Sequence, residues 1–137
     1  MRPGAHVFQV YRAGEDPLLW WRLISSNGRV LGCTTTPEAS MVELRSSIKT
    51  VVDYADDLVA SLRLTADHRW QWTLSLADRP IVRGASSHDR HVRCEMAWQR
   101  FVLATPLAVI DDEVHAFRAC CRPAPVELSR LRPRQLA

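Results

Sequence analysis

The chain has 137 residues, 47% hydrophobic and 24% charged, with a formal net charge of +3, a length that suits one compact domain or two small repeats sharing a core. The charge is uneven: residues 118–137 hold five arginines and one acid, Glu127, leaving 13 basic against 14 acidic residues elsewhere. A near-neutral body argues against an electrostatic nucleic-acid footprint on the folded part. Apolar runs no longer than Val7 to Val10, Leu18 to Trp21 and Phe101 to Ala104 argue against a membrane span or secretory signal. The expected location is therefore the cytoplasm, where Cys33, Cys94, Cys120 and Cys121 stay reduced.

In chain order, Met1 to Ala5 reads as a loose lead-in and Val7 to Arg12 as a strand of β-branched and aromatic residues. Ala13 to Pro17 makes a connection, Leu18 to Ser25 a second strand, and Ser26-Asn27-Gly28-Arg29 a tight turn, since Asn-Gly tolerates positive φ. Val30 to Thr35 is a third strand. Thr36 as cap and Pro37 at the first helical position predict a helix down to about Tyr54, with Met41, Leu44, Ile48, Val51 and Val52 at helical spacing.

The same order then recurs. Leu58 to Leu64, Arg69 to Leu76 and Ile81 to Ser86 read as strands, separated by turns at Thr65 to His68 and Ala77 to Pro80, before a helix from about Asp89 to Leu103. Trp70, Trp72, Leu74 and Leu76 alternate with Gln71, Thr73 and Ser75, the pattern of a strand with one buried and one wet face. Trp21 to Leu31 matches Trp72 to Val82 after a shift of 51 positions. The second helix lacks a tidy apolar stripe, so an insertion or register shift is expected near Ser86 to His91. Beyond Thr105-Pro106, Leu107 to Ile110 suggests a short extra strand and Asp111 to Phe117 a solvent-facing extension. From Arg118 on, scattered prolines and arginines predict a disordered tail.

Phe8-Gln9-Val10-Tyr11, Trp21-Arg22-Leu23 and Ser26-Asn27-Gly28 before a strand and a helix resemble the YegP-like repeat, a bacterial and archaeal domain of unknown function. The likeness is best over residues 7–54. The second copy, residues 58–103, has Asp78-Arg79 where Asn-Gly is expected and lacks the Phe-x-x-Tyr opening. The resemblance implies a fold and no activity: a β-β-β-α unit that dimerises when single and forms a covalent pseudo-dimer when tandem. The expected architecture is α+β, two tandem β-β-β-α repeats joined as an antiparallel-sheet pseudo-dimer. Residues 6–55 and 56–105 are the repeats, and residues 106–137 form a C-terminal extension.

Residues suited to chemistry are few. His88, His91 and Cys94 have a His-x2-His-x2-Cys spacing but no fourth ligand nearby, so a polar loop capping the second helix is favoured over a metal site. Asp111-Asp112-Glu113 with His115 reads as a solvated acidic turn, because consecutive residues do not converge on one atom. Asp53, Asp56 and Asp57 read as a solvated connection. Cys120-Cys121, flanked by Arg118 and Arg122, would act as a redox sensor only if exposed. The five glycines are dispersed and form no nucleotide-binding or nucleophile-elbow pattern.

One surface stands out. If Leu19, Trp21 and Leu23 face the core, then Trp20, Arg22 and Ile24 lie outside, across from Gln9 and Tyr11, in an aromatic and arginine group of the kind that anchors interfaces. The rival expectation is that the C-terminal segment, through Leu107 to Ile110 or Phe117, folds back over it. The reading that results is a non-catalytic binding or protein-interaction module, needing no cofactor or metal, that uses Tyr11, Trp20, Arg22 and Ile24 toward a protein partner or a second copy. Its rivals are nucleic-acid binding through Arg22, Arg63 and Arg83 with the basic tail, and a small metal-dependent enzyme built on His88, His91 and Cys94.

Overall fold

Residues 5–117 are described in the computed structural model. They form a mixed α+β fold. Strands β1 (His6–Ala13), β2 (Trp20–Ile24) and β3 (Val30–Thr34) precede helix α1 (Met41–Asp53). A 3-10 turn then leads to β4 (Val59–Leu64), β5 (Trp70–Leu76), β6 (Arg79–Gly84) and helix α2 (His91–Ala104), and a second 3-10 turn leads to β7 (Ala108–Phe117). The seven strands make one sheet in the order β4-β5-β6-β3-β2-β1-β7. All pairs are antiparallel except β1 with β7.

Both helices share one core cluster with the same sheet face. It holds Phe8, Trp21, Leu23, Trp72, Leu74 and Val82 from the strands, Leu44, Ile48 and Val51 from α1, and Cys94, Phe101 and Ala104 from α2. Trp21 is fully buried, edge-on to Phe8 at 5.4 Å and stacked on Phe101 at 6.5 Å, with its indole N–H donating to Ser47 Oγ at 3.2 Å. Gly32 and Gly84 pair where β3 meets β6, and a Cβ on Gly84 would lie 2.7 Å from the Trp72 indole nitrogen. The absent side chains let the aromatic layer sit directly on the backbone of the two central strands.

Several local expectations are corrected. α1 begins at Met41, after Ser40, whose hydroxyl accepts from the Glu43 N–H at 3.2 Å. Thr36-Pro37 does not start it, because Glu38 is held extended by paired backbone bonds with Leu19, each 2.8 Å. Ala77 and Asp78 both take positive φ, 50° and 67°, making a two-residue turn that lets β6 start at Arg79. The offset between the two halves therefore changes there and not near Ser86 to His91: Leu23 pairs with Gly32 while Leu74, 51 positions later, pairs with Val82, 50 positions later.

The largest correction concerns the C-terminal segment. Residues 107–110 and 111–117 were expected as a short strand and a solvent-facing extension, yet 108–117 form one ten-residue strand running parallel to β1. The backbone groups on the outer side of β1 are satisfied by this strand, with an irregularity between Phe8 and Val10. Cys120, Cys121 and the basic tail lie outside the described residues. Among the described residues no helix is long and apolar enough to cross a membrane.

Candidate functional site

Strand alternation places Gln9, Arg22, Cys33, Arg83, Thr73 and Ser61 in register across the sheet, on the face opposite the helices. Arg22, Arg83 and Arg63 therefore share this face, while Trp20 and Ile24 flank Arg22 along β2. Arg22 is held in place. Its Nε donates to Gln9 Oε1 at 2.8 Å, and its guanidinium carbon lies 4.6 Å from the centroid of Phe117 and 5.5 Å from that of Tyr11, contacts worth about 0.5–1 kcal/mol each at an exposed site.

The same contacts revise the expected surface. Tyr11, expected on an open face, is only 1% exposed, because Phe117 of β7 sits 5.2 Å away, ring centroid to ring centroid. His115 stacks on Phe117 in turn at 6.4 Å. Trp20, Arg22 and Ile24 remain half-buried. The indole N–H of Trp20 is buried and meets no acceptor among the described residues, an arrangement that costs stability unless an acceptor is supplied. No motif in the sequence marks this atom.

Cys33 sits between Arg22 and Arg83 on this face but is fully buried. Burial pushes its thiol up, and the two guanidinium groups offset that only in part. A thiol held protonated in this way is a poor nucleophile.

The two candidate ligand clusters fare differently. His88 is tied through its backbone to Trp70, His91 is exposed with its ring edge-on to Trp70 at 4.7 Å, and Cys94 is buried in the core with its thiol raised by burial and by Glu95. These three do not form a compact ligand set. Asp111, Glu113 and His115 do, with ligand atoms within 4.8 Å of one another. The expected acidic turn is instead part of β7, so alternate residues share a face. Asp111 is already occupied, accepting from the Glu113 N–H at 3.0 Å and lying 3.4 Å from His115 Nε2. The backbone bond and, to a lesser degree, the imidazole lower its carboxyl below the usual range.

Comparison with known proteins reaches the fold. No family model and no curated protein matches the sequence. Among solved structures, the E. coli protein of unknown function YegP is similar with a TM-score of 0.67 at 12% identity, over 80% of this chain and 94% of that one. A UPF0339 protein from Shewanella oneidensis gives 0.59 at 8% identity, over 85% and 93%. The chain has the fold of the YegP-like proteins.

Proposed function

We propose that this chain is a non-catalytic binding module, built as a pseudo-dimer of β-β-β-α repeats over residues 6–55 and 56–105 with residues 106–137 as an extension. The register supports the repeat reading. Cys33 pairs with Arg83, 50 positions later, and the same offset relates buried Leu44 to Cys94 and Val51 to Phe101. Two counterparts facing each other across a ladder is what a local two-fold axis requires.

The functional reading rests on one observation: both helices pack on one sheet face, leaving Trp20, Arg22 and Ile24 half-buried on the other. A protein partner that packs on half-buried Trp20 and Ile24 beside the Arg22 guanidinium would bury apolar surface around a fixed charge. Trp20→Ala combined with Ile24→Ala is expected to keep the wild-type circular dichroism spectrum while losing partner capture in a pull-down with full-length protein. Undiminished capture would count against this face. Tyr11 is left intact in that test, since its burial makes truncation a stability change.

A second reading, nucleic-acid binding, is supported by Arg22, Arg83 and Arg63 lying on one face. It predicts a gel shift with duplex or single-stranded probes that weakens steeply with salt. No shift at micromolar protein and low salt rejects it.

A further inference from the structure

The seam between the two halves of the sheet is closed at one end and parted at the other. The β3–β6 ladder comprises Gly32–Gly84, Cys33–Arg83 and Thr34–Val82. At one end Thr35, the residue just after β3, continues the closure: its N–H donates to the Ile81 carbonyl at 3.2 Å and its hydroxyl to the Pro80 carbonyl at 2.9 Å. At the other end the residue after Gly84 is Ala85, which has no hydroxyl to repeat that bond. From there the chain is drawn toward β5 by His88, whose N–H and carbonyl pair with Trp70 at 2.8 and 2.7 Å. The start of β3 turns the opposite way, following β2 into its hairpin.

The divergence leaves a cavity of about 520 Å³, within the range of small-molecule sites. Its lining is one-sided in charge. Arg22, Arg29 and Arg100 contribute guanidinium groups to it, His88 adds an imidazole, and among the described residues no carboxylate lines it. The side chains of Arg29 and Arg100 make no hydrogen bond or ion pair among the described residues, whereas Arg22 is held by Gln9. The His88 imidazole is pushed down from its ordinary value by burial, then by Arg69, with Arg93 acting the same way and Asp89 opposing. Leu31 and Trp72 supply apolar wall.

We propose that this cavity binds a small organic anion, its phosphate or carboxylate between Arg29 and Arg100 and its apolar body against Leu31 and Trp72. Two guanidinium groups without partners among the described residues, beside an apolar wall, match such a ligand in charge and shape. The cavity shares Arg22 with the partner face, but Arg29 and Arg100 take no part in that reading, so either can fail while the other holds.

The test is calorimetric titration of the full-length protein with phenyl phosphate and with benzoate, using benzylammonium as the cationic control. Saturable binding of at least one aromatic anion is expected, and which one binds identifies the anionic group. Arg29→Gln with Arg100→Gln should weaken binding by at least about ten-fold at an unchanged thermal midpoint, since both side chains are exposed, while Arg12→Gln should bind as wild type. Binding should also raise the His88 pKa in an NMR titration, because a nearby anion favours the imidazolium. The proposal is overturned by no saturable binding at millimolar concentration, by equal affinity in the double arginine variant, or by benzylammonium binding as well as the anions.

Discussion

Replacing Trp21 by alanine should lower the unfolding free energy by about 3–5 kcal/mol, the range for emptying a buried aromatic site, in a protein whose total stability is expected to be about 5–15 kcal/mol. The size follows from position. Trp21 is fully buried, is wedged between Phe8 and Phe101, and is anchored by Ser47 of α1. Removing it opens a void and releases a contact that ties α1 to the sheet. Urea denaturation followed by circular dichroism is the measurement, with the midpoint falling and the slope little changed. Trp21→Phe should recover most of the loss, because it restores ring packing but not the bond to Ser47. A loss below about 1 kcal/mol in the alanine variant would mean that this tryptophan does not organise the core as described.

Gly84→Ala should also destabilise, by about 1–3 kcal/mol, through overpacking. No positive φ is involved, so the cost is steric. The new Cβ would meet Trp72 Nε1 at 2.7 Å and Cε2 at 2.9 Å. Trp72 is 1% exposed and packs on Phe101 at 5.6 Å, so the ring has little room to retreat. The decisive comparison is the double variant Gly84→Ala with Trp72→Phe. A smaller ring should relieve part of the clash, giving a combined loss below the sum of the single losses. Simple additivity would show that the glycine matters for some reason other than this ring.

How far the chain could be read depended on whether each signal was local. Trp72 and Leu74 are buried as the alternation of Trp70 to Leu76 implied, because period-two patterning is written into the strand itself. Gly28 takes φ 88° in its hairpin, as Asn-Gly suggested. The start of α1 was misplaced because two caps compete there, and the winner was decided by Glu38 pairing with Leu19, far away in sequence. β7 was harder still. Its acidic middle looks like a solvated turn, and its partner is β1, so Phe8 meets Ile110 only after the whole chain has folded. Tyr11 is buried for the same reason, since the ring that packs against it is Phe117. The parted seam is also invisible from local pattern, because Arg29 and Arg100, which line one cavity, come from the β2–β3 hairpin and from α2.

The two outer strands of the sheet are chemically unequal, and that sets how such a body can grow by strand addition. β7 presents Glu113 beside an Asp112 that pairs with Arg45, and it is interrupted against β1 by an irregular step, so two copies meeting along it would bring the Glu113 carboxylates toward each other. β4 carries one charge, Arg63, among exposed Val59 and Leu64. A molecule with one permissive border and one guarded border can join a single neighbour border to border, and the joined pair then offers only guarded borders. Assembly by this route is expected to stop at two copies, which sedimentation at rising protein concentration would check.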